Sequence, residues 1–259
     1  MKRLPRLLRK EYLIMVWETA VAEFRLRDQG TFLGFLWTLL HPLIYFIVLY
    51  GIFKKWMGHH ISNFPLYLII GIVQWNFFAS GTTNTIMCIT RQGNYVKNIN
   101  FPKAVLVLSA VLSVVFSHML ELLILIVFWL LVGQKLSLVA LLLVPITILN
   151  IFLIISVGFI FATIGVYFLD VYRIWGIFTS IGLFLTPIFY TLELLSPDKR
   201  SIILLNPMTH IITATREILI AGKFPALSGL LYVFMLSTAL LVVGLLVFKK
   251  YEGYFAEKI

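Results

Sequence analysis

Long apolar runs separated by short charged segments set the pattern of this chain. Six runs are predicted to be membrane-spanning helices, and they cover residues 32–53, 65–90, 104–132, 136–169, 174–190 and 226–248. Each run reaches or approaches the ~20 residues that an α-helix needs to cross ~30 Å of hydrocarbon. A membrane β-barrel would instead show segments of ~10 residues with alternating polarity. The pattern therefore predicts an all-α integral membrane protein with six transmembrane helices.

The segment before the first apolar run is predicted to form a helix, over residues 6–27, that does not span the bilayer. Its apolar side chains share one face and its charged side chains the opposite face. The apolar face is formed by Leu13, Trp17, Ala20, Val21 and Phe24. Such a helix suits the membrane interface, and packing on a soluble partner is the alternative. Residues 1–30 are therefore assigned to a cytoplasmic N-terminus with an interfacial amphipathic helix, and residues 31–259 to a single transmembrane domain.

Composition and charge agree with this class. The chain of 259 residues is 61% hydrophobic and 12% charged, whereas soluble domains have ~25% charged residues. Its net charge of +10 is explained by basic residues that flank spans on the cytoplasmic side, so a nucleic-acid partner is not expected. Fourteen of the 21 Lys and Arg residues fall in segments that are cytoplasmic if both termini lie inside. The single cysteine excludes an intramolecular disulfide.

The segment between the fifth and sixth runs, residues 191–225, is apolar but broken by prolines. Prolines at or near its breaks are Pro187, Pro197, Pro207 and Pro225. Within it, residues at helical spacing form an apolar face: Ile211, Ile212, Thr215, Ile218 and Leu219. These features predict two short re-entrant helices that dip into the outer leaflet, which is tolerable only where protein covers their ends. An external amphipathic cap is the simpler alternative.

Two ionisable residues lie deep in the third predicted span. His118 and Glu121 are three residues apart, so they can bond to each other on one helical face. Ionisable groups inside hydrocarbon are costly and are candidates for function. A proton relay or a substrate contact is one interpretation, and a polar contact between packed helices is the other.

The loop between the second and third spans, RQGNYVKNINFPKA, carries three basic residues and no acid. It also presents Tyr95 and Phe101, followed by the helix-starting Pro102. Such a loop could dock into a cytoplasmic partner or lie on anionic lipid, and the residues alone do not separate these alternatives.

Several motifs of enzymes are absent. The sequence has no DDxxD, HExxH or GxSxG motif and no His/Cys cluster, so a lipid-modifying enzyme or a protease lacks its metal or nucleophile. It has no GxxxxGK[ST] phosphate loop, because Gly222 and Lys223 are followed by Phe224 and Pro225. If ATP drives transport here, another polypeptide must bind the nucleotide.

The chain resembles the membrane subunit of type-2 ABC exporters, in the branch that exports polysaccharides. The resemblance is carried by RLRDQGTFLGFLWTLLHPL at 25–43, the loop NFPKAVLVLS at 100–109, LDVYRIWGIFTSIGLFLTPIFY at 169–190, LLNPMTHIITATREIL at 204–219 and the tail YFAEKI. Their order and spacing extend over nearly the full length. One position departs from the family: Leu169, where an arginine usually precedes Asp170, so that Arg173 is the nearest candidate cation.

The resemblance implies a homodimer in the bacterial inner membrane that takes part in lipopolysaccharide biosynthesis or capsule formation. Each subunit would pair with a separate nucleotide-binding subunit, two copies in all, which would hold ATP and Mg²⁺, while this chain would hold no cofactor. A lipid-linked polysaccharide such as O-antigen, capsule or teichoic acid would pass between the protomers. A permease for a drug, a lipid or another small amphiphile is the alternative, and a membrane enzyme is a further one.

The resemblance also assigns roles to residues. Contacts with the ATPase are expected from Arg25, Arg27, Arg91, Tyr95, Lys97, Phe101, Pro102 and Lys103. External gate helices would include Pro187, Asn206, Pro207, His210, Arg216 and Glu217. Aromatic rings stack on the apolar faces of sugars, and candidates to line the pore are Tyr45, Tyr50, Phe184, Phe189 and Tyr190.

Overall fold

The computed structural model describes residues 10–27, 33–34, 36–58, 61, 63–133 and 137–259, and its regular structure in these ranges is entirely helical. In chain order the helices are α1 (Lys10–Arg27), α2 (Leu36–Met57), α3 (Phe64–Ile86), α4 (Cys88–Arg91), α5 (Gly93–Asn98), α6 (Ala104–Leu131), α7 (Leu143–Tyr167), α8 (Asp170–Leu185), α9 (Pro197–Ile203), α10 (Pro207–Leu219), α11 (Leu227–Tyr251) and α12 (Phe255–Lys258). Short 3-10 helices occupy Leu138–Leu142, Leu192–Leu194 and Glu252–Tyr254.

Within the described residues, five helices are long and apolar enough to cross a membrane. They are α2, α3, α6, the segment Leu138–Tyr167 that includes α7, and the segment Leu227–Lys258 that includes α11. They match five of the six predicted spans, so the integral membrane α-helical fold is confirmed. The predicted starts of the first and fourth spans, at residues 32 and 136, lie outside the described residues, as do residues 1–9 and 28–30 of the predicted N-terminal region.

The fifth predicted span differs from the structure in its bounds. Instead of residues 174–190, the helix α8 covers Asp170–Leu185, and its 16 residues rise only ~24 Å. The helix ends before Thr186, whose backbone is extended (φ −89°, ψ 141°), because a residue that precedes proline avoids the helical region. Asp170 and Arg173, both within the described part of the chain, form no ion pair, so Arg173 does not replace the missing arginine.

Helix α3 lies at the centre of the packing. In the most apolar 18-residue stretch of α3, 78% of the residues are buried, whereas in the corresponding stretch of α2 only 11% are buried. It packs closely on α7, where a methyl group added at Gly165 would collide with the carbonyl oxygen of Ile86. Small residues allow close helix approach in membranes, where packing replaces the hydrophobic effect as the driving force.

A buried polar chain connects α3, α7 and α10. Asn150 on α7 donates from Nδ2 to Gln74 Oε1 at 3.1 Å, and Gln74 on α3 donates from Nε2 to Thr215 Oγ1 at 3.3 Å. All three side chains are fully buried. The short outer helix α10 is therefore fixed to two long helices, and its predicted apolar face is buried, as Ile211, Ile212, Thr215, Ile218 and Leu219 are all buried.

The N-terminal helix α1 packs along α6. Ala20 is fully buried, and the rings of Trp17 and Phe24 lie edge-on to Phe116 with centroids 5.3 and 5.9 Å away. Leu13, on the predicted apolar face, remains 53% exposed. The helix thus combines one face bound to α6 with a second apolar strip that is open.

Candidate functional site

An arginine on α10 is buried at the predicted outer side of the protein. The guanidinium of Arg216 donates from Nη1 to Pro187 O at 2.6 Å and from Nη2 to Ile188 O at 2.8 Å. Nε and Nη2 also donate to Tyr67 O at 3.2 and 3.1 Å, and Cζ lies 3.3 Å from the centroid of the Tyr67 ring. Arg216 is 7% exposed. This side chain therefore ties α10 to α3 and to the bend that follows α8.

The bend presents its carbonyl groups because Asn206 holds it. Asn206 Nδ2 donates to Thr186 Oγ1 at 2.8 Å, and its Oδ1 accepts from Met208 N at 3.0 Å as the cap of α10. Pro207 occupies the first position of α10, where its missing N–H group has no helical partner to lose. One side chain thus fixes both the bend and the start of the helix.

A glycine on α3 makes room for the guanidinium. A Cβ atom added at Gly71 would lie 2.9 Å from Arg216 Nη2 and 3.0 Å from Ile188 Cγ2. Both contacts are shorter than normal packing allows, so a larger residue at this position would displace the arginine or the bend.

The two remaining predicted gate residues also contact this outer region. His210 Nε2 lies 2.8 Å from Leu204 O, and the His210 ring lies edge-on to Tyr232 of α11 at 5.3 Å. Glu217 Oε2 accepts from Ala226 N at 3.1 Å, just before α11 begins. The structure therefore brings the six predicted gate residues together where the α8 bend, α10 and the start of α11 meet.

The predicted coupling loop begins at the last residue of α4 and contains α5. Tyr95 is 56% exposed, and Lys97 and Arg91 are also exposed. Arg91 Nη1 donates to Asn84 Oδ1 at 2.8 Å, which ties the loop to the inner end of α3. These three side chains are open to a partner protein, and their role in coupling stays a prediction.

The end of the loop is buried rather than exposed. Phe101 is 7% exposed and belongs to a core cluster that includes Phe255 of α12, while Pro102 is partly buried. A methyl group at Gly93 would lie 2.7 Å from Ile259, so the C-terminus also contacts α5. Phe101 thus supports the loop from beneath, and the exposed coupling surface is formed by the residues before it.

A lysine joins the loop to the C-terminal segment. Lys103 Nζ donates to Val96 O at 3.3 Å and to Ile99 O at 3.1 Å, and it lies 4.3 Å from the Phe101 ring centroid. Its backbone N–H donates to Glu252 Oε1 at 2.7 Å. Burial lowers the pKa of Lys103, while the charge of Glu252 acts in the opposite direction. We name the contacts among Lys103, Glu252 and the loop the C-terminal clamp.

The basic end of α1 holds the remaining predicted coupling residues. Arg25 and Arg27 are exposed, and the Arg27 guanidinium donates to Ser117 Oγ on α6. Glu23, which the sequence interpretation did not single out, lies between them and the loop. Burial raises the pKa of the Glu23 carboxyl group, and the charges of Arg91 and Arg27 lower it. The signal available in the sequence is that Glu23 stands between the basic residues at the start of the chain and the pair Arg25 and Arg27.

The five candidate pore aromatics differ in exposure. Tyr45 and Phe184 are 42% and 57% exposed. Phe189 is buried and stacks on a phenylalanine of α2 at 4.4 Å. Tyr50 stacks between two rings at 5.5 and 6.1 Å, and Tyr190 donates from its hydroxyl to the carbonyl oxygen of Leu185 at 3.0 Å. Only the first two present open rings in a single protomer.

The intramembrane pair on α6 has the predicted internal contact. His118 Nδ1 lies 3.3 Å from Glu121 Oε2. The fully buried His118 ring stacks on Phe77 of α3 with centroids 3.8 Å apart. His118 Nε2 has no hydrogen-bond partner within the described ranges.

His118 and Glu121 line a polar cavity with a volume of about 260 Å³, whose walls come from α1, α2, α3 and α6. His41 on α2 and Asn76 on α3 also line it, and their Nδ1 and Nδ2 atoms are 3.2 Å apart. The sequence interpretation missed both residues, although each is a polar side chain inside a predicted span. We name this space the intramembrane cavity.

The described residues offer several groups that can bind a partner or a ligand. No group of three or more His, Cys, Asp or Glu side chains that could hold a metal occurs among the described residues. The geometry supplies three features: the exposed basic surface of the coupling loop, the cluster of gate residues held by Arg216, and the intramembrane cavity. This arrangement suits a protein that binds a polar molecule within the membrane.

Comparisons with known proteins show which family and which relatives the chain is similar to. Residues 16–220 match the family described as ABC-2 type transporter. An O-antigen export system permease protein, RfbA, from Klebsiella pneumoniae is 31% identical over 243 residues, which cover 91% of each chain. A protein of the same description from Myxococcus xanthus is 28% identical, with 92% of each chain covered. The polysialic acid transport protein KpsM of Escherichia coli is 25% identical over 89% of this chain and 90% of its own length.

Proposed function

The chain belongs to the ABC-2 type transporter family, and from this premise we propose that it is the permease subunit of an ATP-driven exporter of a lipid-linked polysaccharide. The polymer would be of the O-antigen, capsule or teichoic-acid type. The observation that carries the proposal is similarity over 91% of both chains to a permease named for O-antigen export. The chain is the transport component and not the ATPase, so ATP and Mg²⁺ are bound by a separate partner subunit.

The protein is a multi-pass membrane protein, and we propose an inner-membrane topology with both termini in the cytoplasm. The fifth span would be α8 together with the bend at residues 186–190, which extends its short helix toward the outer surface. The distribution of basic residues supports this orientation. The helix α1 would then lie at the inner interface and α10 in the outer leaflet.

A homodimer would form through α2 and α8. Both helices pack on the central α3 and leave apolar faces open, with Ile47 and Trp56 of α2 66% and 68% exposed, and Ile177 and Phe178 of α8 61% and 62% exposed. A two-fold axis along the membrane normal would place these faces opposite their own copies. The open rings of Tyr45 and Phe184 lie on the same two helices and would then line the path between protomers.

Coupling to the ATPase would proceed through α1 and the loop at residues 91–103. ATP can favour an open path only if the partner subunits contact this surface differently in the two states. The exposed Arg91, Tyr95 and Lys97 would make these contacts. Phe101 and the C-terminal clamp would make the loop rigid, so that its movement reaches α6.

The outer cluster around Arg216 would act as the external gate. Helix α10 is held by its buried apolar face and by hydrogen bonds from Arg216 to backbone carbonyl groups of α3 and the α8 bend. The hydrogen bonds are directional, so they would make the closed arrangement specific. Opening would release the bend after α8 and widen the outer end of the path.

The proposal is tested by removing the permease from its host and restoring it. Loss of the gene should abolish surface polysaccharide and cause polymer to accumulate on the cytoplasmic side, measured by antibody labelling of intact and opened cells. Re-expression of the wild-type chain should restore surface polymer. A Tyr95→Ala, Lys97→Ala variant should insert normally, yet retain less ATPase on affinity purification.

A matched control is Lys199→Ala, because Lys199 is exposed on the opposite, outer side of the predicted topology. Surface polysaccharide that is unchanged by the deletion, together with altered resistance to small amphiphiles, would instead establish the alternative permease. A chain that never co-purifies with an ATPase would contradict the transporter assembly.

A further inference from the structure

The intramembrane cavity has no part in the gate just described, and Arg27 is the one proposed coupling residue that lines it. It is large, since about 260 Å³ is available, whereas a single water molecule needs only ~10–15 Å³. Three of the four helices that form its walls are long and apolar enough to cross the bilayer, where ionisable side chains are costly. His118 and Glu121 satisfy only part of each other's hydrogen-bonding capacity, because His118 Nε2 has no partner within the described residues.

The lining groups include both donors and acceptors. The Arg27 guanidinium only donates, the Glu121 carboxyl group offers acceptor oxygens, and Asn76 does both. A sugar hydroxyl also donates and accepts, so a set of hydroxyl groups can match such a wall. A phosphate offers acceptors alone and would lie against the Glu121 carboxylate, while an organic cation would lie against Arg27. The mixed wall therefore favours a neutral polyhydroxyl ligand.

An aromatic ring is also present at the cavity. Trp37 lines it and is 47% exposed, so one part of its indole contacts the wall and another part is open. Indole rings supply a large rigid apolar surface with a polar N–H group. A sugar ring has the complementary features, an apolar C–H face bordered by hydroxyl groups.

The cavity opens on the exposed side of α2. Trp37, His41 and Tyr45 follow one another at intervals of four residues, so they form one stripe along this helix. All three are exposed in the protomer, and the His41 and Tyr45 rings are 4.9 Å apart. The stripe leads from the cavity toward the outer end of α2, along the face that the proposed dimer would enclose.

We infer that the intramembrane cavity is a saccharide subsite that holds one sugar unit of the exported polymer. Glu121, His118 and Asn76 bond its hydroxyl groups, and the indole of Trp37 covers its apolar face. The inference rests on the proposed function, because it assumes that a polysaccharide passes along α2. It adds a site at which the path recognises sugar before the polymer reaches the outer gate.

The test uses the full permease–ATPase complex in lipid nanodiscs. The probe is the host's own polysaccharide, released from its lipid by mild acid and shortened to oligosaccharides, with binding measured by calorimetry. Trp37→Leu should weaken binding by about threefold to tenfold, as expected for loss of one aromatic contact, and Trp37→Phe should restore most of it. Glu121→Gln should weaken binding by about tenfold, because an amide NH₂ group replaces one carboxyl oxygen and a hydrogen bond accepted from a sugar hydroxyl is lost.

Phe224→Leu is the matched control, because Phe224 is an aromatic residue that is 79% exposed, lies outside α2 and α8 and does not line the cavity. It should bind like wild type. Because Trp37 is half exposed, its replacement is compatible with folding, which size-exclusion chromatography and thermal unfolding of each variant will check.

Inorganic pyrophosphate is the competing probe. Displacement of the oligosaccharide by pyrophosphate, with tighter pyrophosphate binding in Glu121→Gln, would overturn the inference in favour of an anion site. Equal oligosaccharide affinity in wild type, Trp37→Leu and Glu121→Gln would also overturn it. Both results would leave surface polysaccharide intact in the wild-type strain, whereas failure of the proposed function would show as absence of export by the wild-type chain.

Discussion

Replacing Arg216 with methionine would test the outer cluster most directly. The substitution keeps an apolar stem of similar length but removes the four donor contacts, at 2.6–3.2 Å, to carbonyl oxygens of Tyr67, Pro187 and Ile188. Leaving a buried carbonyl group without its donor costs ~1–3 kcal/mol, against a typical total stability of ~5–15 kcal/mol. Because three carbonyl groups lose a donor, we expect the free energy of unfolding to fall by about 3–5 kcal/mol.

The assay is equilibrium unfolding of the purified protein in mixed detergent micelles with increasing SDS, followed by near-UV circular dichroism. Arg200→Met is the control, because Arg200 is exposed on α9 and should change stability by less than ~0.5 kcal/mol. Arg216→Lys should give an intermediate loss, since a lysine keeps the charge but lacks the planar fork that reaches several carbonyl groups at once.

The same variants should also affect transport. If Arg216 holds a gate, Arg216→Met should leak small polar solutes across the membrane in the absence of ATP, while Arg200→Met should not. A stability loss below ~1 kcal/mol for Arg216→Met, equal to that of Arg200→Met, would refute the conclusion that these hydrogen bonds fix the outer cluster.

Three further predictions concern the inner side and the core. Glu252→Gln should weaken the C-terminal clamp by about 1 kcal/mol and make the loop more accessible to protease. The control Glu257→Gln changes an exposed residue and should not affect cleavage, so equal cleavage of the two variants would contradict the clamp. Replacing Phe101 and Pro102 with alanine should reduce ATPase association on co-purification while membrane insertion remains intact, and unchanged association would refute a coupling role for these residues. Gly165→Ala should destabilise the protein by ~1–3 kcal/mol through overpacking, while Gly176→Ala, with open space around it, should not; similar melting temperatures for the two would be inconsistent with the close contact of α3 and α7.

The exposed and the buried residues of the coupling loop are suited to different roles. Tyr95 and Lys97 present an open surface, and Phe101 anchors the loop against Phe255 near the C-terminus. A partner that moves the exposed surface would therefore also act on the contact between Lys103 and Glu252. The loop and the C-terminal tail are far apart in the sequence, yet direct contacts join them.

Much of the fold follows from local features of the sequence. Apolar runs of about twenty residues predict spans because backbone groups in hydrocarbon must be satisfied within the helix. Prolines predicted the breaks before α9 and α10, and helical spacing predicted both the buried face of α10 and the contact between His118 and Glu121. The end of α8 was placed five residues too late, because the apolar run continues through the bend after Leu185.

Hydropathy, helical period and motif order are properties of neighbouring residues, so they predict the membrane class, the approximate positions of the helices and the resemblance to a transporter family. Which polar groups meet, and what they contact, depends on how the folded helices pack. Arg216 belongs to a segment read as external, yet it is buried because carbonyl groups from two distant segments surround it. Phe101 is hidden by the C-terminal helix, and the intramembrane cavity exists because four helices bring Arg27, Asn76 and Glu121 together. Such contacts depend on packing between remote segments, and no local pattern in the chain encodes them.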